Sequence, residues 1–287
     1  MNSSLRSCLA VFLAVTGALT LRADPAAVIA RARAYLGGDA ALNAVKSIQF
    51  EGHYLDESDD TKRQAAVEMI FQKPYFHRVV MTGNTNIETT GLDGYEGWMR
   101  VQEVKDPTHI RLAYLTKDQI KGLRTNVWET LNFYAGIEAR GGRVIDLGEV
   151  VIDNIVCDKL GFEHEPGLYF RRSFERATGR LVLTETSQGT SREEGSVIVN
   201  GVRFPKKIVT TVKTNGKDRT ISYTFDTVKV NEVFPGAMFI VPPIPVPQFT
   251  MPVLPGSPAT GAQSAPAIKP MNSSAAPSAP LVPAKTP

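Results

Sequence analysis

From Ser47 onward apolar residues recur at every second position in a series of short pieces that one helical stretch interrupts, as far as Val230. Ile48, Phe50 and Tyr54 alternate with Gln49, Glu51 and His53, and Val67, Met69 and Phe71 with Ala66, Glu68 and Ile70. A period of two marks strands with one buried face, so these pieces predict antiparallel β-structure. Further strand-like pieces fall at 76–81, 86–90, 98–104 and 110–115. Others follow at 143–151, 155–163, 168–174, 181–186, 196–199, 202–213 and 219–230. Thr82-Gly83-Asn84, Asp93-Gly94, Ala177-Thr178-Gly179, Asn200-Gly201 and Asn215-Gly216 punctuate them as turns. An Asn-Gly pair supplies the positive φ angles of a type I′ turn, so neighbouring strands are expected to pair in sequence order, as a meander.

The interruption is one long helix. Thr116 and Gln119 form a T-x-x-Q capping box. Behind it Ile120, Leu123, Val127, Leu131 and Tyr134 make an apolar stripe, and Gly136 is the expected stop. Ahead of the strands, Asp24 is an N-cap candidate and Pro25 stands in the first turn, where proline is tolerated. Val28, Ala32, Tyr35 and Leu36 follow at helical spacing. Gly37-Gly38 ends that helix, and Asp39 begins a shorter one in which Leu42 and Val45 share a face.

Both ends of the chain differ in character from this middle. Residues 1–23 give a short head carrying Arg6, an apolar run from Cys8 to Leu21, and Ala23 before Asp24-Pro25. That order predicts a secretory signal peptide cleaved after Ala23. The apolar run of about 14 residues is shorter than the ~20 that a membrane span takes. Cys8 begins the run, whereas a lipidated cysteine would have to end it. The chain is therefore expected in the periplasm or otherwise exported, with no transmembrane segment after cleavage. At the other end, 242–287 is dominated by Pro, Ala and Ser and is expected to be disordered, since it has little apolar surface to bury.

Between these ends, 24–241 is expected to form one domain. Two arginines leave with the leader and two lysines belong to the tail, so a chain total of +3 places the domain at about −1. So neutral a domain has no electrostatic footprint for nucleic acid. Cys157 is its one cysteine, in an apolar run, and is expected to be a small buried hydrophobe rather than a reactive thiol.

Chemistry-bearing patterns are few. His53, His77, His109 and His164 are too far apart for metal-ligand spacing, and no H-E-x-x-H or C-x-x-C occurs. His53 and His77 fall on the strand phase opposite the apolar one and are expected at the surface. There is no G-x-S-x-G elbow, Walker loop or G-x-G-x-x-G. Asp59-Asp60 and Glu193-Glu194 sit in polar, turn-like stretches that suit solvated loops. No catalytic, metal-binding or cofactor site is expected from these residues.

What remains is apolar surface on the helix and on the strands. One reading is an ordinary α+β core in which helix and sheet bury each other. In the other, the helix covers a concave sheet and the two part around a hydrophobic ligand. The lid would then be Ile120, Leu123, Val127 and Leu131, facing Ile48, Phe50, Met69, Phe71 and Trp98.

Several stretches resemble the periplasmic lipoprotein-carrier (outer-membrane lipoprotein-sorting) superfamily when taken in order. They are Tyr35-Leu36-Gly37-Gly38 with Ala40-Ala41-Leu42, then Val45-Lys46-Ser47-Ile48 and Glu51-Gly52. Asp93-Gly94 followed by Gly97-Trp98 is similar to a "DG…GW" hairpin of that superfamily. Tyr169-Phe170 before Arg176 to Leu181, Gly201-Val202-Arg203-Phe204-Pro205, and Asn231 with Phe239 and Pro242 complete the series. The resemblance implies a mainly β, α+β fold: an unclosed, strongly curved antiparallel half-barrel with helices over its concave face. It further implies non-catalytic binding of an acylated or hydrophobic ligand, such as a lipoprotein or lipid. The Pro-rich tail departs from the shorter carriers, and no position matches the carriers' latching arginine. An alternative is an envelope scaffold that recruits a protein partner through the tail or a sheet edge. A third, an envelope hydrolase, lacks a catalytic cluster.

Overall fold

The computed structural model describes residues 24–57, 63–214 and 217–243. The expected leader, almost all of the Pro-rich tail, Asp59-Asp60 and the Asn215-Gly216 turn lie outside the described residues.

Two helices come first, α1 (Pro25–Leu36) and α2 (Asp39–Asn43). Asp24 caps α1 as expected, accepting a hydrogen bond from the Ala26 N–H at 3.0 Å. Gly37 closes α1 at φ 136°, and a Cβ there would lie 2.1 Å from the Gly201 carbonyl oxygen, so only glycine fits. The first run of strands is β1 (Ser47–Asp56), β2 (Arg63–Gln72), β3 (Phe76–Thr82), β4 (Asn86–Asp93), β5 (Gly97–Glu103) and β6 (Ile110–Tyr114). The long helix α3 (Lys117–Asn132) follows, with both halves of the Thr116–Gln119 capping box in place. The second run is β7 (Arg143–Ile152), β8 (Ile155–Glu165), β9 (Leu168–Glu175), β10 (Leu181–Glu185) and β11 (Gly189–Glu194). Then come β12 (Val197–Val199), β13 (Val202–Phe204), β14 (Lys207–Thr214) and β15 (Lys217–Val230).

Thirteen strands form one antiparallel sheet in the order β6-β5-β4-β3-β2-β1-β15-β14-β11-β10-β9-β8-β7. The sheet is curved, and β6 and β7 remain unpaired edges, so it does not close into a barrel. This is the expected mainly β, α+β architecture. Strands pair in sequence order within β1–β6 and within β7–β11, but β1 pairs with β15 and β11 with β14. A simple meander is therefore two meanders joined along β15 and β14. The expected strand 202–213 is broken into β13 and β14 at Pro205, which has no N–H to give to a ladder. β12 and β13 form a hairpin of their own across Asn200-Gly201, whose φ angles of 50° and 79° are those of a type I′ turn. Asp153-Asn154 makes the same kind of turn between β7 and β8, with φ of 50° and 63°.

Helix α3 packs on β2 and β3. Val127 and Leu131 are buried, and Ile120 and Leu123 pack against the same core with Ile48, Phe50, Phe71 and Phe225. A second core brings Val28 and Ala32 of α1 against Ile137, Leu160, Phe162 and Phe174. The helix stops earlier than expected. Phe133 and Tyr134 adopt left-handed φ of 48° and 70°, so Asn132 is the last helical residue and Tyr134 leaves the stripe. Two such residues in succession cost on the order of 1–3 kcal/mol each, which surrounding contacts must offset. Buried Arg33 supplies them, donating to the carbonyls of Asn132 at 3.0 Å and Phe133 at 2.9 Å.

Candidate functional site

Under α3, the concave face encloses a cavity of about 540 Å³. Its two walls differ in chemistry. On one side Ile48 and Phe50 of β1, Met69 and Phe71 of β2, Val79 of β3, and Tyr223 and Phe225 of β15 line it. Phe50 is the centre of this wall, with ring centroids of Phe71, Phe204 and Phe225 at 6.2, 5.9 and 4.6 Å. On the other side stand Asn126, Glu129 and Thr130 of α3, Tyr134, Arg172 of β9, Thr184 of β10 and Glu193 of β11.

The expected ligand-facing residues divide along this geometry. Ile48, Phe50, Met69 and Phe71 come together on the cavity wall. Val127 and Leu131 are fully packed into the core, with Ile120 and Leu123 against it, and the helix faces the cavity through Asn126, Glu129 and Thr130 instead. Trp98 is buried at the flank of the sheet, where its ring covers Gly91 and its Nε1–H donates to the Phe239 carbonyl at 2.7 Å.

His77 corrects an expectation. It is 3 % exposed and lines the cavity, because it sits opposite Phe71 in the β2–β3 register and so shares that residue's face. Its Nδ1 lies 3.0 Å from the Ile70 carbonyl, which fixes the neutral tautomer with the proton on Nδ1. Burial lowers its pKa to about 4, against the partial help of that hydrogen bond. His53 is exposed as expected, beside Asp226, and His109 lies beside Glu103. Among the described residues, no group of three or more His, Cys, Asp or Glu could hold a metal ion.

The polar wall holds an ion network that no sequence motif marks. Glu129 accepts from Arg172 at 2.5 Å and from His164 through a short contact, and the side chains of all three are nearly inaccessible. Burial pushes the Glu129 carboxyl up, but the charge of Arg172 and the contacts from His164 outweigh it and hold the carboxyl below its ordinary range. The Arg172 guanidinium is also packed over Tyr134, Phe162 and Phe170, with ring centroids at 5.0, 4.9 and 4.9 Å. Glu193 corrects a second expectation: it lies on a strand, not in a loop, and lines the cavity. Water reaches it, yet it sits in the hollow of the sheet, and desolvation pushes its carboxyl up to about 7 although Arg172 pulls the other way. Desolvation, reinforced by the charge of Glu193, raises the Tyr134 hydroxyl far above the usual phenol range.

A sequence signal for this wall did exist. Leu160, Phe162 and His164 share one strand phase, as do Phe170, Arg172 and Phe174, so two ionisable residues occupy apolar positions.

No protein-family profile matches the sequence, and no curated protein matches it significantly. Among solved structures, a LolA superfamily protein from Nitrosomonas europaea aligns with a TM-score of 0.50 at 13 % identity, over 76 % of this chain and 99 % of that one. The chain has that protein's fold. A DUF1329 family protein from Desulfovibrio piger aligns at 0.49 and 8 % identity, over 75 % of this chain and 96 % of that one. A putative outer membrane lipoprotein-sorting protein domain from Vibrio parahaemolyticus aligns at 0.48 and 7 % identity, over 74 % and 94 %. At these identities the LolA-like likeness is one of architecture, and a fold alone does not fix activity. No helix among the described residues is long and apolar enough to cross a membrane.

Proposed function

We propose that the chain is a non-catalytic, exported binding protein that holds the apolar part of an acylated ligand in the cavity beneath α3. The observation that supports this reading is the cavity itself, about 540 Å³ with an aromatic wall on β1, β2 and β15. Ligand pockets commonly enclose ~300–1,000 Å³. Each CH₂ removed from water contributes ~0.8 kcal/mol, so a sixteen-carbon chain gains roughly 10 kcal/mol before ordering costs. Ile48, Phe50, Met69 and Phe71 would touch the chain. Ile120, Leu123, Val127 and Leu131 hold α3 in place as its cover, and Trp98 fixes the sheet's flank. The ligand would be amphiphilic, its polar part directed to Glu129, Arg172 and Glu193. Lipoprotein sorting is the description of the Vibrio protein; a lipoprotein cargo is part of this proposal for the present chain.

The test is native mass spectrometry on the full chain, secreted into and purified from a bacterial periplasm. Co-purifying acyl species, or uptake of an acylated peptide after delipidation, are the expected results. Protein that emerges wholly lipid-free and ignores acylated peptides overturns the reading. Met69→Trp, which fills the apolar wall, should weaken acyl uptake about tenfold or more while an acyl-free peptide control stays unbound.

A further inference from the structure

Arg124 and Trp128 stand one turn apart on α3, on the face turned away from Asn126, Glu129 and Thr130 and hence from the cavity. There two guanidiniums share one tyrosine ring. The Arg124 Cζ lies 4.6 Å from the Tyr75 centroid and the Arg140 Cζ 5.4 Å from it. Arg140 also covers Trp128 at 4.9 Å, and Tyr75 stacks on Trp128 at 6.4 Å. Tyr95, 82 % exposed, extends the group, 6.0 Å from Arg124. Tyr75 is in the β2–β3 turn and Tyr95 in the β4–β5 turn, which lie at the same end of the sheet.

This cluster has positive charge and no counterion. Among the described residues neither Arg124 nor Arg140 has a carboxylate at ion-pairing distance, although Glu138 is two residues from Arg140 and Glu96 follows Tyr95. Lys73, on the same turn as Tyr75, has none either, and burial together with the charge of Arg33 lowers its pKa. The Nη1 of Arg140 is buried, so its other guanidinium nitrogens are the ones a surface anion can reach. A phosphate oxygen is the acceptor whose geometry the guanidinium fork matches best. Ring faces hold the two guanidiniums in place while leaving edges free to donate. The exposed Tyr95 adds an amphipathic ring of the kind that sits at headgroup level in a bilayer, which a site for a free anion would not need.

We propose that this end of the molecule docks on a membrane through the phosphates of anionic phospholipid headgroups, with Arg124 and Arg140 as phosphate ligands and Tyr95 as the interfacial anchor. Each basic side chain at an anionic surface strengthens attachment by about fivefold, so Arg124 and Arg140 together give about 25-fold. The domain as a whole is close to neutral, so attachment would come from this patch and would weaken with salt.

The experiment is flotation of the full chain with phosphatidylcholine vesicles, with and without phosphatidylglycerol, at low and high salt. Expected is binding only to the phosphatidylglycerol vesicles, lost at high salt. The double substitution Arg124→Gln with Arg140→Gln should weaken it about 25-fold. Tyr95→Ser, at a position too exposed to affect folding, should weaken it several-fold. Acyl-ligand uptake, read on the same samples, should be unchanged, so a failure here is separate from a failure of the cavity reading. Equal binding to both vesicle types, or unchanged binding by the double and Tyr95 variants, overturns the proposal. So does a chain that ignores vesicles but binds inorganic phosphate at this cluster, which would make it a site for a soluble anion.

Discussion

On β1, β2 and β15 the concave face carries Ile48, Phe50, Phe71 and Phe225, whereas on β8 and β9 the equivalent positions carry His164 and Arg172 beside Phe162 and Phe174. The apolar wall is made by strands alone, whereas the ionic wall ties β8 and β9 to Glu129 of α3, so the two are stabilised differently. The apolar wall is a sum of many small contacts, and losing one ring leaves the rest in place. The ionic wall is one connected unit in which each charge is tolerable only while its partner is present. The first can change piecemeal, while the second fixes one arrangement.

Breaking the ionic wall should have the largest effect. Glu129→Leu leaves Arg172 charged and 6 % exposed, and should cost about 3–5 kcal/mol in urea unfolding. Adding Arg172→Met should restore most of that loss, because the uncompensated charge goes too; two independent losses that merely add would contradict the single-unit account. On the apolar wall, Phe50→Ala should cost about 3 kcal/mol, the lower end for such a truncation because the ring already borders a void. Acyl binding should survive it.

The two walls should also respond to pH with opposite sign. His77 has a folded pKa of about 4 against an ordinary 6.5, so its contribution is complete above 6.5 and is lost as pH falls towards 4. Melting followed from neutral pH to about pH 5 should show a loss of about 2 kcal/mol that His77→Gln removes. Glu193 runs the other way. Its carboxyl is raised from 4.5 to about 7, so its contribution is present below 4.5 and is lost as pH rises through 7. Because water reaches it, the effect should be only about 1 kcal/mol, seen as Glu193→Gln being the more stable protein above pH 7 but not at pH 4.5. That comparison of melting curves is the finest probe of the difference.

Local features of the fold were legible in the sequence. The Thr116–Gln119 capping box, the Asp24 cap and the Asn200-Gly201 turn each act within four residues, and each is where the residue types place it. β11 was not legible, since Gly189–Glu194 has no apolar alternation; it is a strand because β10 and β14 flank it. The stop of α3 was not legible either, because Arg33, 99 residues earlier than Asn132, holds the terminal carbonyls. Half of the cavity could be read from the phase of Ile48, Phe50, Met69 and Phe71. The other half depends on pairings across 35 and 43 residues, between Glu129 and His164 and between Glu129 and Arg172. Periodicity registers which face a residue occupies but says nothing of which partner meets it there.

The pairing of β1 with β15 sets the order in which this chain can fold. Each meander contains mostly neighbour-to-neighbour pairings and can form early, but Ile48 meets Val230 only when the last strand is available. Until then β1 has one open edge in what will be the middle of the sheet, and the hollow between the two walls does not exist. A chain delivered N-terminus first, whether from the ribosome or through a translocation pore, therefore stays unfinished until β15 has emerged. Completion of the hollow is timed by β15, and until β15 arrives the flank of β1 is an exposed strand edge.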